Sequence, residues 1–182
     1  VPYELVRLDL TRQENNTPEY LALHPLGEVP ALVDGEVTLL ESLAICLHLA
    51  DRFPEKQLAP PMGSAERGSY YQWMAFAEVS LDPVVMAFYW HAQLPEEKKA
   101  SAHANEELAK HKVRLQALLD LIDMGLGGRE CLVGGAFTAA DVVMASILHL
   151  ANTLKLLDGH PRVVEYVKRH SQRPAVRRAV LG

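Results

Sequence analysis

Cysteine is scarce: Cys46 and Cys131 are the only two in 182 residues. That excludes a disulfide scaffold and fits a reducing, cytoplasmic setting. No apolar run approaches the length of a membrane span, and the N-terminus has no basic stretch followed by an apolar one, as a secretory signal would. Basic residues are dispersed until the C-terminal end and the formal net charge is −5. The chain therefore has no electrostatic footprint for nucleic acid. Its eight histidines lack metal spacing. There is no HExxH, and no cysteine stands near a histidine in a ligand pattern, so no metal is expected. Low-complexity tracts and internal repeats are also missing. What remains is a chain 49% hydrophobic and 23% charged, the balance of a globular protein long enough to bury one or two cores.

The first fifty-odd residues mix element types. Tyr3 to Leu8 alternates apolar and polar and predicts a short strand on Leu5, Val6 and Leu8. Thr11 to Thr17 is polar and turn-like. Thr17 followed by Pro18 predicts a short helix with a threonine N-cap and proline in its first turn, stopped at Pro25. Ala31-Leu32-Val33 and Val37-Thr38-Leu39, joined through Asp34-Gly35, predict a β-hairpin with its tight turn at Asp-Gly. Glu41 to Phe53 places Leu43, Leu47 and Ala50 at helical spacing, with Pro54 as the stop.

Everything after the proline-bearing stretch around Pro60 and Pro61 reads as helix. Tyr70, Trp73, Met74, Ala77, Leu81, Val84, Val85 and Phe88 form one long stripe, with a kink expected at Pro83. Leu108, His111, Leu115, Leu118 and Ile122 form a second stripe, ended by Gly125 to Gly128. Thr138 to about Leu154 predicts a third helix, apolar on most sides and hence central. Pro161 to His170 predicts a fourth, and a short fifth begins near Arg173-Pro174.

Two motifs are sharper than their surroundings. His24-Pro25-Leu26-Gly27-Glu28-Val29-Pro30-Ala31-Leu32 precedes the hairpin, and Glu41-Ser42 follows it. In structural terms Pro30 opens an edge strand and Glu41-Ser42 caps a helix. In functional terms a cis bond before Pro30 would turn the backbone N–H and C=O of the preceding residue outward. Such a pair can hydrogen-bond an extended peptide as another strand would. Ser42 and the helix start would then meet a carboxylate, and Glu41 an ammonium group. The second motif is Phe137-Thr138-Ala139-Ala140-Asp141-Val142. Thr138 as N-cap with Asp141 three residues on predicts a capping box, and Phe137 with Val142 a hydrophobic staple. It is a folding signal with no chemistry assigned.

The ordered combination of HPLGEVPAL, DG and LLESLAICLHLADRFP resembles the glutathione-binding segment of cytosolic, bacterial-type glutathione transferases. LVGGAFTAADVVMAS is similar to that family's central helix, and HPRVVEYVKRHSQRPAV to its terminal helices. The resemblance covers essentially the whole chain. It implies an α/β thioredoxin-like domain at residues 1–55, a linker at 56–63 and an all-α domain at 64–182. It further implies that Val29 offers backbone contacts to the cysteinyl part of glutathione, that Pro30 is the cis-proline, and that Glu41 and Ser42 hold the γ-glutamyl end. Glu28 stands where many relatives carry glutamine, and His24 where many carry asparagine. A carboxylate at Glu28 would repel the ligand's own carboxylates unless it were protonated or turned away.

By the same resemblance Val1 matches the start of the second strand. The first strand, the first helix and the thiol-activating residue have no counterpart, so the catalytic residue is unassigned. About 20–30 residues are expected to precede Val1. The implied activity is transfer of glutathione's thiolate to a small hydrophobic electrophile by a cytoplasmic homodimer, a detoxification chemistry. Glutathione serves as co-substrate; metal, nucleic acid and membrane are not involved. The alternatives are a glutathione-dependent isomerase, dehalogenase or thiol reductase, and a non-enzymatic binding module of the same fold. Tyr70, Trp73 and Tyr89 are candidates for the electrophile's pocket. Cys46 reads as a core thiol, Cys131 lies near a loop with nothing to lower its pKa, and Arg173, Arg177 and Arg178 form a solvated basic end.

Overall fold

The computed structural model describes residues 1–181, with side chains for all of these except Ala102, Val180 and Leu181. The chain divides into two compact units, the first Val1–Leu49 and the second from Ala50 onward.

In the first unit, residues 1–9 form no strand, which corrects the reading of Tyr3 to Leu8. Tyr3, Leu5 and Val6 are 79%, 60% and 72% exposed. Apolar alternation becomes a strand only beside another backbone that takes up its N–H and C=O groups. Among the described residues none pairs with this segment. Two 3₁₀ turns follow, Leu10–Arg12 and Glu14–Asn16. Asp9 caps the first by accepting the Thr11 hydroxyl at 2.6 Å and the Thr11 N–H at 2.9 Å. Helix α1 (Pro18–Leu21) starts with Tyr20 N–H donating to Thr17 Oγ1 at 3.3 Å.

Strands β1 (Ala31–Asp34) and β2 (Val37–Leu40) make an antiparallel pair with Ala31 opposite Leu40 and Asp34 opposite Val37. The turn therefore sits one residue later than expected. Asp34 is the last paired residue, and Gly35, at φ 63°, leads the two-residue loop. Glycine takes that left-handed conformation without a Cβ penalty, which an aspartate would have to bear. Helix α2 (Ser42–Arg52) returns along the hairpin, and His48 Nε2 meets Asp34 Oδ2 at 2.7 Å.

The second unit is helical. Its first long stripe is not one kinked helix but α3 (Ala65–Ala75), a π turn over Phe76–Leu81, and α4 (Asp82–Gln93). Asp82 N–H reaches back five residues to the Ala77 carbonyl, and Pro83 sits in the first turn of α4. Pro83 has no N–H for the ladder, and the wider turn ahead of it absorbs that loss. A short α5 (Glu96–Lys99) follows, unforeseen because four charged residues carry no periodicity. Helix α6 (Ala102–Leu126) is capped by Ser101 and stopped by Gly127 at φ 53°. Helices α7 (Ala139–Thr153), α8 (Pro161–Ser171) and α9 (Pro174–Leu181) complete the unit. Leu115, Leu118, Leu119 and Ile122 of α6 meet a core that also holds Tyr70, Met74, Met144 and Leu148, all fully buried. Val163, Tyr166, Val167 and His170 of α8 bury one face at spacings of three and four.

Candidate functional site

The five residues singled out around the hairpin come together at its open end. The ladder ends at the Ala31–Leu40 pair; Glu28, Val29 and Pro30 lead into it on one side, and Glu41 and Ser42 leave it on the other. The loop that delivers them is pinned from below. Gly27 N–H donates to the His24 carbonyl at 2.8 Å, and Glu28 N–H points at His24 Nδ1 from 3.4 Å. Asn15 Nδ2 donates to the Gly27 carbonyl, and the Tyr20 hydroxyl to the Glu28 carbonyl, each at 2.6 Å. Gly27 has φ 63°, and a Cβ there would meet Asn16 Oδ1 at 2.7 Å, so only glycine fits. His24 is buried, stacked on the Tyr20 ring.

Above this frame the chemistry is exposed. The Val29–Pro30 peptide is cis, and Val29 is 49% exposed. Among the described residues the backbone N–H and C=O of Val29 take no intramolecular partner. Glu41 adopts φ 68°, and its carbonyl accepts the Ile45 N–H at 3.0 Å. Ser42 is thus the first residue of α2, with the unsatisfied N–H groups of a helix start around its exposed hydroxyl. Glu28 and Glu41 are exposed carboxylates, and neither forms an ion pair among the described residues. Asn15, Tyr20 and His24 were not foreseen as supports. Tyr20 and His24 stand four apart, but no local pattern announces a hydrogen bond from residue 15 to residue 27.

A second polar cluster lies in the helical unit. Asp141 is fully buried. Its Oδ1 accepts the Leu132 N–H at 2.9 Å and the Tyr166 hydroxyl at 3.0 Å. Its Oδ2 accepts the Thr138 N–H at 2.9 Å and the Thr138 hydroxyl at 3.3 Å. Ligand atoms of Cys131, Asp141 and His170 lie within 4.8 Å of one another. Both oxygens of Asp141 are already spent on two donors each, so a cation there would have to break existing bonds. Burial, followed by the nearby Asp141 and Glu130 charges, pushes the Cys131 thiol from 9.0 up to about 11. Burial likewise lowers the His170 pKa. The cluster keeps a protonated thiol and a neutral imidazole around one carboxylate, a structural arrangement. Of the aromatic candidates, Tyr70 and Trp73 are packed in the core and only Tyr89 is half-buried.

Sequence models of two domains match the chain in order: "Glutathione S-transferase, N-terminal domain" over residues 1–51 and "Glutathione S-transferase, C-terminal domain" over residues 80–178. The chain belongs to the glutathione S-transferase family. It is 30% identical over 181 residues to glutathione S-transferase GstA of Escherichia coli O157:H7, covering 98% of this chain and 85% of that one. It is 27% identical over 180 residues to mouse glutathione S-transferase theta-1, covering 93% and 72%. Among solved structures it resembles a glutathione transferase family member from Pseudomonas fluorescens pf-5 with two glutathione bound. There the TM-score is 0.85 and the identity 27%, over 98% of this chain and 81% of that chain. The hairpin with its flanking helices therefore belongs to the family's thioredoxin-like N-terminal domain, and α4 to α8 to its helical C-terminal domain. Among the described residues no helix is long and apolar enough to cross a membrane.

Proposed function

We propose that this chain binds glutathione at the open end of the hairpin and that the protein transfers its thiolate to a small hydrophobic electrophile. One observation carries the reading: the Val29 backbone, without an intramolecular partner among the described residues, and the unsatisfied start of α2 flank the open end of the same hairpin. An extended peptide can add to such a backbone as an extra strand. The N–H groups at the helix start, with the Ser42 hydroxyl, suit the γ-glutamyl carboxylate, and Glu41 suits the adjoining ammonium. Val29 would hold the cysteinyl unit, with Pro30 setting the direction of the loop. The Pseudomonas relative bound to glutathione supports this ligand.

In the reaction, glutathione's sulfur attacks an electrophilic carbon and displaces a leaving group or opens a polarised bond. The protein's contribution is to lower the thiol pKa with a hydrogen-bond donor and to hold the reactants together. The residues described here perform the holding; none of them is assigned as the donor. The same reading divides the chain into a glutathione-binding domain at 1–55, a linker at 56–63 and a helical domain at 64–182. It also takes the protein as a cytosolic homodimer.

Isothermal titration with reduced glutathione tests this. Saturable binding is expected, weakened about tenfold by Ser42→Ala, which removes one hydrogen bond to a charged group. Ser42 is exposed, so the variant should fold as the parent does, by circular dichroism. Binding that ignored the substitution would move the ligand elsewhere. Absence of binding would leave a binding module for some other partner in front.

A further inference from the structure

The negative charge of this chain is concentrated in the unit that carries the proposed ligand site. Val1–Leu49 holds eight acidic residues against two arginines and no lysine, a formal −6. The remainder holds fifteen acidic and sixteen basic residues, a formal +1. Of the two arginines in the first unit, Arg12 is paired with Asp9 at 3.3 Å, and among the described residues neither pairs with Glu28 or Glu41. Glutathione itself carries two carboxylates and one ammonium. The Ser42 end of the site suits one carboxylate and the ammonium; the glycyl carboxylate must lie elsewhere.

Chain order says where. On the reading that puts the γ-glutamyl end at Ser42 and the cysteinyl unit along Val29, the glycyl end continues toward Glu28, the residue that precedes Val29. The backbone at Glu28 is fixed there on both sides, by Glu28 N–H against His24 and by the Tyr20 hydroxyl on the Glu28 carbonyl. Its side chain is exposed and takes no hydrogen bond or ion pair among the described residues. A free glycyl carboxylate would therefore face an uncompensated like charge within a unit that is already anionic.

We propose that Glu28 is a specificity-determining residue that makes this site favour a glutathione-type thiol whose C-terminal carboxylate is masked as an amide or carries a cation in its place. The inference rests on the glutathione reading above and names the ligand class within it. A masked terminus removes the like-charge pair, and its amide N–H gives the Glu28 carboxylate a donor. Like charges a few ångströms apart at a protein surface alter binding about three- to tenfold.

The experiment is a calorimetric titration of two probes, reduced glutathione and its glycinamide, into the parent protein, Glu28→Gln and Glu28→Lys. Glu36→Gln, in the hairpin loop, is the control for loss of charge away from the site. The parent should bind the amide about three- to tenfold more tightly than free glutathione. Glu28→Gln should abolish that preference by strengthening glutathione, Glu28→Lys should reverse it, and Glu36→Gln should keep it. Equal affinities in the parent, or a preference that survives Glu28→Gln, would overturn the role given to Glu28 while leaving glutathione binding intact. Failure of both probes with every protein would instead sink the glutathione reading and this inference with it.

Discussion

The two units bury their residues in opposite ways. From Ala50 onward there is a dense core, with Tyr70, Leu118, Met144, Leu148 and Tyr166 at or near zero exposure. Within Val1–Leu49, only His24 and Gly27 are buried. Ten large apolar side chains there, from Val1 to Val37, stand exposed. The helical unit is held by apolar area and by one saturated carboxylate. The first unit is held by local hydrogen bonds: a capped 3₁₀ turn, a two-residue hairpin loop and the pins on the Gly27 and Glu28 carbonyls. A surface built this way leaves backbone groups open to a ligand, which a packed core cannot do.

The comparison is broken most severely at Asp141. Asp141→Ala strips the acceptor from four buried donors at once, the N–H groups of Leu132 and Thr138 and the hydroxyls of Thr138 and Tyr166. It should cost about 3–5 kcal/mol in urea unfolding followed by helical circular dichroism. A loss below about 1 kcal/mol would show that water replaces the carboxylate and that the cluster is not a keystone.

Next comes a matched pair of apolar truncations. Leu148→Ala, in the core, should cost about 2–5 kcal/mol, whereas Val33→Ala, half exposed on β1, should stay within about 0.5 kcal/mol. Comparable losses would mean that the first unit is buried in the working protein. That would erase the contrast.

The smallest effect is a pH dependence confined to the helical unit. Cys131 keeps its proton up to about pH 11 in the fold but loses it near 9.0 when unfolded. Between those values the folded state binds more protons, so stability falls as pH rises, by at most about 1.4 kcal/mol per pH unit. Cys131→Ala should flatten that limb. His170, its pKa lowered by burial, acts at the other end. Below the ordinary histidine value the unfolded state takes the proton first, so stability is lost on acidification.

How much of this was legible depended on the range of the interaction. Helix α1 was readable from Thr17-Pro18, the hairpin from two β-rich runs around a glycine, and α2 from Leu43, Leu47 and Ala50, since each signal lies within a few residues of what it controls. The hairpin loop was misplaced by one residue because Asp-Gly chemistry does not say which of the pair ends the ladder; the pairing does. The strand expected over Tyr3 to Leu8 failed for a related reason, because alternation states a preference and only a neighbouring backbone satisfies it. At the site, Glu28, Val29, Pro30, Glu41 and Ser42 could be named from their motif. The supports Asn15, Tyr20 and His24 reach across four to twelve residues and left no periodic trace.

The sequence by itself determined the hairpin, most of the helices, the family and the residue types at the open end of the hairpin, because helical period, turn chemistry and charge are local properties. Tertiary structure alone decided that Asp141, beyond its capping box with Thr138, would also accept from Leu132 and Tyr166, and that Pro83 would be met by a π turn rather than a kink. It also decided that the Glu28 backbone would be held by Tyr20 and His24, with no ion pair on its side chain among the described residues. Those outcomes depend on which distant groups a packed backbone brings within hydrogen-bonding range, and no spacing along the chain encodes that distance.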